Sequence, residues 1–162
     1  MGAWAGLLLR FLEMVLMSVW LGGITILSGL VAPTLFAKLP TRAQAGEMFG
    51  HILTRFYVLE MALAVLLIAL AMLRWKYLAA PMAPAMARIV VIALMLGATM
   101  TAQFYLRPHL KELKAKIGNF ESIPADDPNR ILFGKLHQQS VMLMGFNALG
   151  ALLLLVLLVW KL

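Results

Sequence analysis

Apolar positions along this chain gather into four long runs, and the polar positions between them fall where helices would leave a bilayer. The first run, Met14 to Ala37, has 24 residues without a charge, long enough to cross a hydrocarbon layer of about 30 Å with tilt. The second, Phe56 to Leu73, is interrupted only by Glu60. The third, Ile89 to Leu106, has 18 uncharged residues, and the fourth, Leu136 to Trp160, contains no Asp, Glu, Lys or Arg. The pattern predicts an all-α integral membrane protein: a four-helix bundle with spans near 12–37, 54–74, 86–107 and 134–160, in a single domain over 1–162.

The flanks of these runs predict helices that extend past the bilayer on one side. Thr41 and Gln44 have the form of a capping box, so the second helix starts near Arg42. Its first turns are amphipathic, with Ala45, Met48, Phe49, Ile52 and Phe56 on one face and His51 and Arg55 on another. Leu106, Leu110, Leu113 and Ile117 carry the third helix on among lysines until Gly118-Asn119, with a bend expected at Pro108. Asp127-Pro128 supplies an N-cap and a first-position proline for the fourth. Pro33 is expected to kink or end the first helix, and Leu39-Pro40 to turn the chain. On the opposite side, Arg10 and Glu13 at i, i+3 are expected to pair, with Arg74, Trp75, Lys76, Tyr77 and the Trp160-Lys161 pair as interfacial anchors and 79–84 as a short connection. Ser18, Gly22, Thr25, Gly29 and Ala32 repeat at 4, 3, 4, 3 and predict a packing face on the first helix.

Composition narrows the chemistry. A hydrophobic content of 63% and a mean hydropathy of +0.91 fit the membrane class. The absence of Cys excludes disulfides, thiolate metal sites and thiol catalysis. The net charge of +7 gathers at the ends of apolar runs, where it meets lipid headgroups, and no nucleic-acid motif accompanies it. The first run is too long for a cleaved signal peptide and is expected to remain as a helix. Four spans place both termini on one side and His51, His109 and His137 on the other. Nine basic residues lie near the histidine side against five near the termini, which assigns the histidine side to the cytoplasm.

Polar groups inside the spans carry the functional expectation. Phe133, His137, Ser140, Met144 and Asn147 follow at steps of 4, 3, 4 and 3, so a histidine, a hydroxyl and an amide share one stripe of the fourth helix. Arg55 and Glu60 on the second helix and Gln103 and Arg107 on the third are expected to face it, with Glu60 paired to Arg107 or Arg55. A carboxylate at bilayer centre costs about 2.5–3.5 kcal/mol on insertion scales, so a partner is required. His137, Ser140, Asn147, Glu60, Gln103, Arg107 and Arg55 thus form a candidate pocket for binding or moving a small ligand or ion. The bland alternative is a packing network that fixes helix register. His137, His51 and His109 also raise a metal site or axial haem ligation, without any local metal motif. A third reading is a scaffold or assembly subunit, or a homo-oligomer, held through the small-residue stripe. No catalytic template is met, since Ser140 lacks a placed acid and no phosphate loop is present, so no enzymatic activity is expected.

Val31-Ala32-Pro33-Thr34-Leu35-Phe36, Leu39-Pro40, Ala45-Gly46 and Arg55-Phe56-Tyr57, together with Phe133, Leu136-His137, Ser140 and Asn147, resemble the transmembrane protein 205 family. That resemblance implies a four-helix membrane domain of unknown function and draws attention to His137, Ser140 and Asn147. Gln138 departs from the small residue expected after the histidine. The domain is also distantly similar to copper-resistance membrane proteins and to haem-binding four-helix membrane proteins, which implies haem or copper as a cofactor.

Overall fold

The computed structural model describes residues 3–77, 81–118, 120 and 123–159. The Trp160-Lys161 pair, Asn119 and the Ala79-Ala80 part of the connection lie outside the described residues. Helix α1, Ala3–Ile26, passes through a π-helical segment, Leu27–Val31, into α2, Ala32–Lys38. Pro33 therefore does not end the helix. A proline lacks an N–H and crowds the carbonyl four residues earlier, and the wider π turn just before it makes the room. The rod stops at Leu39, whose extended backbone (φ −83°, ψ 146°) is what the following Pro40 requires.

Local chemistry also sets the other helix ends. Thr41 Oγ1 accepts the Gln44 N–H at 3.2 Å, and α3 runs unbroken from Arg42–Tyr77. Helix α4, Met82–Met100, continues through a second π segment, Thr101–Leu106, into α5, Arg107–Ile117, again with the proline, Pro108, at the start of the segment that follows. Gly118 caps α5 at φ 65°, a backbone that favours glycine. Asp127 Oδ1 accepts the N–H groups of Asn129 and Arg130 at 2.8 and 3.1 Å, and α6 spans Pro128–Val159.

Four rods result, Trp4–Lys38, Arg42–Tyr77, Met82–Ile117 and Pro128–Val159, each long and apolar enough to cross a membrane. At 1.5 Å per residue they measure about 48–54 Å, well beyond the hydrocarbon thickness. The chain is an integral, multi-pass membrane protein. α1 packs on α3 and α6, and α4 packs on the same two, which closes the bundle into a ring. Phe11, Val65, Leu66, Leu94, Leu149 and Leu152 point outward, as lipid-facing side chains do. The core between the rods is built from Met17, Trp20, Leu63, Leu67, Ile92, Met95, Ala151 and Leu154, among others.

Two expectations are corrected here. Glu13 does not pair with Arg10. It is 3% exposed and accepts from Arg74 at the end of α3, with Arg88 of α4 4.0 Å away. Arg74 is accordingly buried and is not an interfacial anchor. The pairing brings the start of α1, the end of α3 and the start of α4 to one end of the bundle, while Lys114 Nζ donates to the Ala43 carbonyl at the other. The small-residue stripe, by contrast, is not packed within the chain and faces outward, the side a second chain would meet. Gly22 and Gly29 have open space where a Cβ would stand. The face of α1 that packs inward is Glu13, Met17, Trp20, Ile24 and Leu27, again at 4, 3, 4, 3.

Candidate functional site

Each of the four rods contributes one polar side chain to a single level of the core. Glu60, on α3, is 1% exposed. Its Oε2 accepts the hydroxyl of Thr99, on α4, at 2.9 Å. Thr99 Oγ1 in turn accepts the amide of Asn147, on α6, at 2.8 Å. The indole N–H of Trp20, on α1, lies beside the same carboxylate but outside hydrogen-bond geometry. The ion pair expected between Glu60 and Arg107 or Arg55 is absent among the described residues. The Thr99 hydroxyl holds the carboxyl instead, itself held by the Asn147 amide, with the Trp20 indole alongside.

Above this level, toward the histidine side, lies a second group. Tyr57, one turn before Glu60, is buried, and its hydroxyl meets that of Ser140 on α6. Arg107 is half-buried and faces Tyr57, with its Nη2 3.9 Å from where a Cβ on Gly50 would stand. Gln103 stands between Thr99 and Arg107. In a regular α-helix two four-residue steps drift about 80° around the axis. The π segment over Thr101–Leu106 has more residues per turn, so Thr99, Gln103 and Arg107 stay on one face. Without that segment the three side chains would fan away from the bundle axis.

Four atoms of this column are buried without a hydrogen-bond partner among the described residues: Trp20 Nε1, Asn147 Oδ1, Gln103 Oε1 and Arg107 Nη1. A buried polar atom left unpaired costs about 1–3 kcal/mol, and these four, contributed by α1, α6, the second π segment and α5, are left without that pairing.

The remaining expected site residues lie elsewhere. Arg55 is exposed and, two residues from Tyr57, occupies the opposite face of α3, where it borders an apolar groove between α1 and α3. His137 is exposed and its ring lies parallel to that of Phe133, 6.2 Å away, while Phe133 meets Phe120 edge-on. His51 is exposed 4.0 Å from Glu47 on its own helix, and His109 Nδ1 lies 2.7 Å from the Tyr105 carbonyl. The three histidines do not converge, and among the described residues no group of three His, Cys, Asp or Glu side chains is arranged to hold a metal.

The stripe on α6 therefore divides. Ser140, Met144 and Asn147 turn inward, and His137 sits at its outer edge. Three members of the column, Trp20, Tyr57 and Thr99, were not among the expected residues. Their spacing carried the signal: Tyr57 is three residues before Glu60, and Thr99 four before Gln103.

A family model described as Domain of unknown function (DUF4149) matches residues 15–119. The chain belongs to this family. The match takes in Trp20, Tyr57, Glu60, Thr99, Gln103 and Arg107, and it ends before Ser140 and Asn147. It also covers the Val31 to Phe36, Leu39-Pro40 and Arg55 to Tyr57 stretches, whereas the Phe133 to Asn147 pattern lies beyond it. No curated protein and no solved structure matches the chain.

Proposed function

We propose that this membrane protein binds, and by its position in the bundle moves, a small polar solute in the inner column that opens toward the histidine side. The observation that carries the reading is the pair of buried, unpartnered atoms Gln103 Oε1 and Arg107 Nη1, set beside the Tyr57 and Ser140 hydroxyls. A guanidinium that donates and an amide oxygen that accepts suit a small anion carrying its own N–H or O–H, such as a hydroxy- or amino-carboxylate or a hydrogen phosphate. Glu60, Thr99 and Asn147 form the floor. Residues expected to line the pocket on the sequence alone, His137 and Arg55, are left outside it.

Arg74 and Arg88 are drawn into the cluster around Glu13, and Arg55 and Arg107 belong to grooves and sites. Setting these aside leaves Lys38, Arg42, Lys111, Lys114, Lys116, Arg130 and Lys135 on the histidine side against Arg10, Lys76 and Lys161 on the other. The excess supports a cytoplasmic histidine side.

Binding is tested by calorimetry on the full chain in lipid nanodiscs, with inorganic phosphate, glycolate and glycine as probes. At least one is expected to bind. Arg107→Met is expected to weaken it by about 1.5–3 kcal/mol, roughly a tenfold to hundredfold loss, and His137→Ala to leave it unchanged. If none of the probes binds and Arg107→Met alters thermal stability alone, the column is a packing network.

A further inference from the structure

We infer that Glu60 is a proton-binding site, with Thr99 and Asn147 as a reversible hydrogen-bond relay and its exchange with water confined to the histidine side. The inference goes beyond solute binding and stands whether or not Arg107 holds an anion.

Among the described residues, the groups around Glu60 come from every rod, and none of them is charged. Thr99 on α4 donates to it, Asn147 on α6 donates to Thr99, and Trp20 on α1 lies alongside. Tyr57, on its own helix one turn earlier, is a titratable neighbour. Arg107 faces Tyr57, and Arg74 and Arg88 gather around Glu13 at the far end. A carboxylate in a membrane span with no cation beside it is expensive to keep ionised, and a proton relieves that cost.

The relay serves both protonation states with the same heavy atoms. When Glu60 is ionised, hydrogens run from Asn147 Nδ2 to Thr99 Oγ1 and from Thr99 Oγ1 to Glu60, as the structure shows. When Glu60 is protonated, its O–H donates to Thr99 Oγ1. The Thr99 hydroxyl rotates to donate to Asn147, whose side-chain amide turns over to present Oδ1. A hydroxyl and an amide can each reverse in this way without moving their neighbours, because both are donor and acceptor. Asn147, 2% exposed, keeps one side-chain bond to Thr99 in each state: Nδ2 donates in the first, with Oδ1 unpartnered, and Oδ1 accepts in the second. Proton balance is simple: the carboxylate takes one proton from water and returns it, and no covalent bond between heavy atoms changes.

Access follows from what lies on either side. Between the Glu60 level and the Glu13 cluster stand Met17, Leu63, Leu67, Ile92 and Met95, none more than 4% exposed. That apolar layer offers no hydrogen-bonding group. On the other side, Gln103 Oε1 lies one turn above Thr99, with Arg107 beyond it. Calcium or magnesium is a poor occupant, since it asks for six or more oxygens, and the free acceptors of this level are the carboxyl and Asn147 Oδ1.

The test is infrared titration of the full chain in nanodiscs, with carbon-13 in the glutamate carboxyls. A protonated-carboxyl stretch that titrates apart from those of the exposed glutamates is expected, lost in Glu60→Gln and kept in Glu47→Gln. Thr99→Val is expected to move its midpoint by about one pH unit, and Thr99→Ser to restore it. In oriented proteoliposomes, a pH step held by membrane-impermeant buffer on the histidine side alone should change the band. An ionised Glu60 at every pH the fold tolerates, a band that follows sodium rather than pH, or a response to a step on the terminal side would each overturn the proposal. Because this readout needs no solute, it fails or succeeds separately from phosphate, glycolate or glycine binding at Arg107.

Discussion

Thr99 has one hydroxyl, and the buried network uses both of its capacities: it donates to Glu60 and accepts from Asn147. Thr99→Val keeps the shape and removes both bonds. It is expected to cost about 1–3 kcal/mol, seen as a lower melting temperature in nanodiscs, with Thr99→Ser close to the parent. Glu13 gives a second residue-scale expectation. Removing one partner of a buried ion pair costs about 3–5 kcal/mol, so Glu13→Ala should destabilise strongly while Arg10→Ala changes little; equal effects would restore the Arg10–Glu13 pairing. At this scale the sequence showed which residues were polar inside spans but not whom they meet. Glu60 stood out as a charge in an apolar run, and the need for a partner was legible. That the partner is Thr99, 39 positions away, depends on how α3 and α4 are rotated, which the pattern of one helix does not contain. His137 was singled out by a stripe whose inner edge holds Ser140 and Asn147. A few tens of degrees of helix rotation separate that edge from His137.

At the scale of elements, α1 shows how two heptad-like stripes compete for the inner face. Ser18, Gly22, Thr25, Gly29 and Ala32 carry small side chains, whereas Met17, Trp20, Ile24 and Leu27 carry the apolar bulk, and the second set is buried. Burial of large apolar groups against α3 and α6 outweighs the close approach that glycines permit. The close contact α1 does make is at Gly23, where an added Cβ would stand 2.3 Å from the Phe56 ring. Gly23→Leu is therefore expected to destabilise the fold by about 1–3 kcal/mol, and Gly22→Leu, with open space around it, to leave the melting temperature of the monomer near the parent value. If the two variants behave alike, the register of α1 on α3 is different. The caps at Thr41, Asp127 and Gly118 were legible from local sequence because capping is settled within four residues. The π segments were not: Pro33 and Pro108 signalled a disturbance, but whether a helix breaks, bends or widens depends on what its neighbours hold in place.

For the whole molecule, length and charge-free runs were enough to give four spans, because bilayer thickness sets a fixed demand on helix length. Side assignment rests on the lysine and arginine excess. The chain has no Cys, so single cysteines report topology cleanly. Lys135→Cys is expected to react with an impermeant thiol reagent only from the cytoplasmic side of inverted vesicles, and Arg10→Cys only from the opposite side; the reverse pattern would invert the topology. Along the bundle axis the rods alternate charged, apolar and polar levels: Glu13 with Arg74 and Arg88, then Met17, Leu67 and Ile92, then Glu60 with Thr99 and Asn147. Gln103 and Arg107 continue the last level toward the histidine side. Whether that column admits water and a solute is read most directly by the reactivity of Gln103→Cys toward the same reagent. The account gives labelling from the histidine side alone, faster than Met95→Cys by roughly tenfold or more, as expected of a polar atom that needs an outside partner against one in a dry layer. Equal protection of the two positions from both sides would contradict it and leave a closed, packed bundle.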